Sequence, residues 1–317
     1  MPSTFVPIRR IAPAHRPEVP ATTVDREMLG ALAPFAADPA VTDLLVAGDG
    51  RLWLDRGGGL SVAPGWTPLE PAAARRLAAA LVAGGGRHLD DATPYADVRL
   101  SGGVRVHAVL PPISTAGPLI SVRIARAAPW RIPDLIAAGM LDDALADRLR
   151  TAVAERRNLL ICGPAGSGKT SLLAALLAEA PPDERIVTIE DVAELRIAHP
   201  HVVGLEARQA NSDGAGAVGL PRLVQEALRM RPDRLVLGEC RGAEIADLLS
   251  ALNTGHDGGA GTLLCASVYG LGARLEALGA LAGLPAEALR HQARAAIDLV
   301  VQLERRNGVR RVAQLGR

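Results

Sequence analysis

Apolar positions along this chain change rhythm near residue 128. Before it, short alternating runs are set off by turn residues. Asp43-Leu44-Leu45-Val46-Ala47 and Arg51-Leu52-Trp53-Leu54-Asp55 flank Gly48-Asp49-Gly50, which predicts two strands about a tight turn. Further strands are expected at residues 96–100, 104–110 and 119–126, separated by Ser101-Gly102-Gly103 and Pro111-Pro112. Two helices interrupt them. Met28-Leu29-Gly30-Ala31-Leu32-Ala33-Pro34-Phe35 is expected to end at its proline, and residues 72–82 at Gly84-Gly85-Gly86. Residues 25–128 therefore read as an α+β domain with a mostly antiparallel sheet.

From residue 129 onward strands and helices alternate. Apolar runs at 158–162, 185–190, 233–239 and 261–266 predict buried strands of a parallel sheet. A helix is expected after Thr170, stopped by Pro181-Pro182, and another carries Leu220, Leu223, Val224, Ala227 and Leu228 on one face. Helices at 243–252, 273–282 and 286–296 complete the set, and a hairpin closes it, 299–304 with 309–315 about Asn307-Gly308. Such alternation over residues 129–317 places helices on both faces of the sheet. Ala127-Ala128-Pro129 is the expected linker, and residues 1–24, with Pro2, Pro7, Pro13, Pro17 and Pro20, read as an extended arm.

Composition narrows the chemistry. A hydrophobic content of 49% can fill a proper core, and a net charge of +1 provides no field for nucleic acid or an anionic membrane. Aromatic residues make up 2%, too few for a base-stacking platform, so no direct nucleic-acid partner is expected. No run is long and apolar enough to span a bilayer and no secretory leader is legible, so the expectation is a cytoplasmic protein. Cys162, Cys240 and Cys265 lack metal-ligand spacing and read as small buried hydrophobes.

Of the 35 basic Lys and Arg residues only one is lysine, Lys169. It lies in Gly163-Pro164-Ala165-Gly166-Ser167-Gly168-Lys169-Thr170, which matches the phosphate-binding P-loop. A compact ammonium can reach between β- and γ-phosphates where a planar guanidinium does not fit. Strand, glycine loop and helix N-terminus supply convergent N–H donors, and the Thr170 hydroxyl would hold Mg²⁺. The octet implies that the chain binds a nucleoside triphosphate, with ATP and Mg²⁺ as the expected pair.

Two acidic strand ends accompany it. Arg234-Leu235-Val236-Leu237-Gly238-Glu239 has the pattern of Walker B, and Thr188-Ile189-Glu190-Asp191-Val192-Ala193-Glu194-Leu195 adds a second cluster. Glu190, Glu239 and Glu194 are all candidates for the general base. The absence of a lid segment and this carboxylate pair argue for water activation over small-molecule kinase chemistry.

Taken in order, these segments resemble the ATPases that drive type II secretion, type IV pili and type IV secretion. The branch they most resemble is that of tight-adherence (Tad, Flp-pilus) ATPases. His199-Pro200-His201, Leu228-Arg229-Met230-Arg231-Pro232-Asp233 and Asn253-Thr254-Gly255-His256-Asp257-Gly258 carry the resemblance further. It implies an α/β fold, a RecA-like P-loop domain with a mostly parallel sheet preceded by a smaller α+β N-terminal domain. It also implies a homo-hexameric ring that hydrolyses ATP for secretion or pilus assembly, held peripherally at the membrane by inner-membrane platform proteins. A conjugation-like type IV secretion ATPase is the alternative. His256 corresponds to the first histidine of the family's histidine box and joins the catalytic candidates. Leu264 stands where the second histidine is usual, and this departure implies slowed turnover or a weakly hydrolysing regulatory paralogue. Arg123, with Arg99 and Arg105, is expected to face the phosphates; Arg208 and Arg241 are candidates for contacts between subunits. His199 and His201 have metal-like spacing but no third ligand nearby.

Overall fold

A computed structural model describes residues 26–124, 129–208, 215–306 and 308–316. The arm at 1–24, Ala127 and Ala128 of the expected linker, and Asn307 of the hairpin turn lie outside the described residues.

The first sheet is built from β1 (Asp43–Val46), β2 (Leu52–Asp55), β3 (Leu60–Val62), β4 (Tyr95–Arg99), β5 (Arg105–Val109) and β6 (Leu119–Arg123). Their order is β3-β2-β1-β6-β5-β4, with every neighbour antiparallel. Alternation decides which face is wet. Leu44, Leu54, Val98, Val106 and Val122 turn inward and pack with Ala78, Leu81 and Val82 of a helix at Pro71–Gly84. That helix is α2; α1 is the single turn Ala33–Ala36. Here the structure departs from expectation. Pro34 opens α1 rather than ending a helix, a position where its missing N–H costs nothing. The segment before it, Arg26–Leu32, is a 3₁₀ stretch broken at Gly30, where φ is +52°. β3 escapes sequence reading because all three of its residues are exposed and no alternation marks it.

The second sheet holds β7 (Leu159–Gly163), β8 (Ile186–Glu190), β9 (Val202–Glu206), β10 (Arg234–Cys240), β11 (Ala260–Leu264), β12 (Leu299–Arg306) and β13 (Val309–Gly316). The order is β13-β12-β7-β11-β10-β8-β9, parallel throughout except for the β12–β13 hairpin. Helices α3 (Ile132–Ala137), α4 (Asp143–Ala154) and α5 (Lys169–Leu177) cover one face. The other is covered by α6 (Leu220–Leu228), α7 (Glu244–Leu252), α8 (Leu271–Leu281) and α9 (Ala286–Ala296). β7 and β8 are buried at every position, which is why they read as continuous apolar runs. Parallel strands joined through helices bring all their C-terminal ends to one edge, and ligands of open α/β sheets bind along that edge.

Candidate functional site

The phosphate-type loop leaves the C-terminal end of β7, between β12 and β11. Gly163 ends the strand and α5 starts at Lys169. Gly166 and Gly168 take φ of +70° and +94°, which only glycine adopts without strain. A Cβ on Gly168 would stand 2.7 Å from the terminal methyl of Met140, which would have to swing aside, so the constraint at this position is the positive φ. The first N–H groups of α5 have no partner within the helix and converge on the loop, forming an anion cradle. The Ser167 hydroxyl is buried with no partner. Lys169 is buried, and its ammonium donates to the carbonyls of Gly163 and Pro164, both at 3.1 Å. Burial holds its pKa below the ordinary lysine value, with the Glu239 carboxylate acting in the opposite direction.

Both predicted carboxylates reach the same edge. Glu190 is the last residue of β8 and only 5% exposed. Burial pushes its carboxyl up to about 7, although Oε1 accepts the N–H groups of Glu194 and Leu195 at 2.9 Å each. Its side chain crosses β10 at Gly238, where a Cβ would come within 2.5 Å of Glu190 Cγ. The β10–β11 register slips between Leu237 and Cys240, a bulge that re-aims the strand end around Glu239. Glu239 accepts from Arg241 Nε at 2.7 Å, and Arg241 also lies 3.6 Å from Asp191. Thr170, Glu190, Glu194, Glu239, Arg105 and Arg241 line one open cleft of about 380 Å³, solvent included. A hydroxyl and carboxylates are hard oxygen donors, which suits Mg²⁺.

The arginines predicted to face this cleft share one row of the first sheet. Register aligns Asp55, Asp43, Arg123, Arg105 and Arg99 across β2, β1, β6, β5 and β4. Directly opposed residues share a face, so the row stands on the side away from that sheet's core. Arg99 pairs with Glu206 and Arg105 with Glu194, both at 2.6 Å, and Arg196 reaches back to the Gly102 carbonyl at 2.8 Å. Arg123 forms no ion pair among the described residues and remains the row's candidate for phosphate.

Other expected residues are placed elsewhere. His256 does not join the cluster. It precedes Ala260, whose register partner is Leu159 at the start of β7, so it lies at the opposite edge of the sheet, roughly 13 Å or more from the loop. Its Nδ1 is 3.2 Å from the Ala251 carbonyl at the end of α7. A helix that returns antiparallel to its strand must deliver the next segment to that far edge, a tertiary consequence that the motif does not reveal. Arg208 donates to Gly216 of its own loop at 2.5 Å, and Arg241 is engaged by Glu239 within the chain. His199 Nε2 lies 2.9 Å from the Pro181 carbonyl, and His201 Nε2 is 2.8 Å from Arg185, so neither is arranged as a metal ligand. Leu264 does end β11 directly beside Gly163 and is half-buried there.

The structure adds residues that sequence reading missed. Trp130, Leu135, Met140, Ser171, Val309 and Arg310 line a second slot on the other side of the loop, about 620 Å³ with its open solvent. Arg310 Nε donates to the Gly166 carbonyl at 2.9 Å. These residues come from segments far apart in sequence, and no spacing signals their convergence.

Comparison with known proteins bears on the family and the fold. The family model described as type II/IV secretion system protein matches residues 71–310. A putative conjugal transfer protein of Mycobacterium tuberculosis is 47% identical over 293 residues, covering 90% of this chain and 83% of that one. The type IV secretion system protein PtlH of Bordetella pertussis is 35% identical over 308 residues, covering 88% and 90%. The crystal structure of the Legionella pneumophila ATPase DotB superposes with a TM-score of 0.60 at 20% identity, covering 91% of this chain and 78% of that one, and so shares the fold. With a family match over most of its length and close relatives along nearly all of it, this chain belongs to the type II/IV secretion system protein family.

Proposed function

We propose that this protein is an ATP-hydrolysing secretion motor. The observation that carries the reading is one cleft that joins the end of the P-loop, at Thr170, to the two strand-end carboxylates Glu190 and Glu239. Residues Gly163, Pro164, Ala165, Gly166, Ser167, Gly168 and Lys169 hold the phosphates through backbone N–H groups and the ammonium. Thr170 would hold Mg²⁺, which would supply positive charge to the phosphate oxygens. Glu239, more open to water than Glu190, orients and deprotonates the attacking water. Glu190 has a carboxyl balanced near neutrality and positions the segment 190–195 through its two N–H bonds. Arg123 supplies positive charge from the first sheet, and the Trp130–Met140 slot takes the nucleoside.

We further assign the chain a split near residue 128 into an α+β domain and a RecA-like P-loop domain, and assembly as a homo-hexamer. It would act at the cytoplasmic face of the membrane through platform proteins. Family membership supports this, and among the described residues no helix is long and apolar enough to cross a membrane. Motif order supports the tight-adherence pilus branch. A second reading, a conjugation-like type IV secretion ATPase, is favoured by the relatives in Mycobacterium and Bordetella. The test is MgATP turnover by the intact chain together with its native mass. Turnover and a six-fold mass support the motor. Tight ATP binding without turnover points instead to a regulatory paralogue, as Leu264 suggests, and no ATP binding overturns the reading.

A further inference from the structure

The β12–β13 hairpin carries two arginines that face each other and reach toward different walls. Arg305 and Arg310 are direct cross-strand partners. Like charges opposed on neighbouring strands are destabilising, so such a pair calls for a reason. Neither arginine takes part in an ion pair among the described residues; both donate to carbonyls. Arg310 Nε reaches Gly166 inside the P-loop at 2.9 Å, and Arg305 reaches Gly57 in the turn between β2 and β3 at 3.0 Å. The hairpin thereby touches the P-loop and the first sheet at once.

Arg310 is half-buried, and burial, followed by the charges of Arg305 and Arg123, holds its pKa below the usual arginine value while Asp55 opposes. Three guanidinium groups therefore share one region. The carboxylates nearby are poorly placed to balance them. Asp55 Oδ1 already accepts the N–H groups of Gly57 and Gly59, at 2.6 and 3.2 Å. Asp43 stands opposite Arg123 in the row without forming an ion pair among the described residues. With Nε spent on Gly166, the two terminal nitrogens of Arg310 form no ion pair among the described residues, and Arg310 lines the slot beside the P-loop; a guanidinium fork has the shape to match phosphate oxygens.

We infer that Arg310 is a phosphate-binding residue supplied by the same chain, and that the Arg305–Arg310 pair relays phosphate occupancy of the P-loop to the β2–β3 turn. The inference rests on the nucleotide reading above and names how that site reports to the first sheet. A polyphosphate beside Arg310 offsets the repulsion within the pair, which firms the Arg305 bond to Gly57.

The experiment uses MgADP and MgATP binding by calorimetry over a salt series, with hydrogen exchange of the segment 55–60, on the full chain. Arg310→Gln should weaken nucleotide binding by about tenfold or more and flatten its salt dependence, while Arg310→Lys recovers part of both. Arg305→Gln should bind within about threefold of wild type yet lose the nucleotide-induced protection of 55–60. Wild-type affinity in Arg310→Gln overturns the inference, as does retained protection in Arg305→Gln. Should Arg310→Gln fail to fold, Arg310→Lys decides: it keeps the charge and loses the fork, so weaker binding than wild type at a similar salt dependence is expected, and wild-type affinity overturns the inference. A wild-type chain that binds neither nucleotide overturns the nucleotide reading itself, a result distinct from a failure confined to the hairpin variants.

Discussion

The two edges of the parallel sheet carry similar charged residues arranged to opposite effect. At the edge where the strands begin, Arg234 is 1% exposed and fully engaged. It pairs with Glu184 and donates to the carbonyls of Val153, at 2.8 Å, and Gly258, at 3.4 Å. Arg156 joins it, reaching Glu184 at 2.7 Å and the carbonyls of Asp233 and Asp257 at 2.6 and 3.1 Å. Arg156 is itself 37% exposed, but both arginines converge on Glu184, which is 12% exposed, and the network ties the loop that holds His256 to the sheet. At the edge where the strands end, the ion pairs are half open to water. Arg241 is 56% exposed against Glu239, and Arg105 is 37% exposed against Glu194. Glu190 and Lys169 are held away from their ordinary pKa values by burial. Locked charges serve the fold, whereas charges that can change partner or proton serve chemistry.

That contrast breaks first at Lys169. Replacing it with alanine should abolish nucleotide binding and hydrolysis while leaving the melting temperature near wild type. Lys169→Arg should be severely impaired as well, because the guanidinium fork does not fit the cradle. Nucleotide titration and a steady-state assay check both, and a brisk Lys169→Arg enzyme would show that shape is not the constraint.

Arg234→Ala probes the other edge. It leaves Glu184 partly buried without its closest partner and should cost about 3–5 kcal/mol of stability, read from denaturant melts. At temperatures where the variant is folded, its nucleotide affinity should match wild type. A loss of affinity without a loss of stability would erase the distinction between the edges.

Glu190 sharpens it through pH. Its pKa rises from 4.5 to about 7 on folding, so burial disfavours the ionised form in the folded state. Stability tied to the protonated carboxyl is complete below pH 4.5 and is lost as pH rises through 7. Glu190→Gln, which stays neutral, should gain on wild type across that window, reaching about 3 kcal/mol above it. A stability difference flat in pH would mean that the carboxyl is ionised in the fold at low cost.

Leu264→His is the smallest expected change. Beside Gly163, an imidazole would restore the histidine that resemblance to the family places there. Turnover should rise with nucleotide affinity unchanged. If the apolar surroundings shared with Cys265 dominate, stability falls by about 1–3 kcal/mol with no gain in rate. Assays of turnover and melting on the same preparation separate the two.

Much of this was legible beforehand because it is local. The P-loop octet, the apolar runs of β7, β8 and β10, and the hairpin at the end each carry their signal within a few residues. α3, α4 and β9 carry weaker local signals, although Asp142 caps α4 by accepting the Leu145 N–H at 2.7 Å. What could not be read is long-range. His256 was assigned by its motif and displaced by the direction of α7. Trp130, Met140 and Arg310 reach the surroundings of the loop, and Arg305 the β2–β3 turn, only through the packing of α3 and the hairpin. The row Arg123–Arg105–Arg99 depends on register, which a sequence does not state.

The central claim is that the exchangeable charges at the end of the parallel sheet hydrolyse ATP, and Glu239→Gln tests it most directly. Turnover and MgATP affinity should be measured together on this variant and the wild type. Turnover lower by about 10²-fold or more at an affinity within threefold is the predicted result. A variant that hydrolyses ATP at the wild-type rate would contradict the account and remove Glu239 from the chemistry.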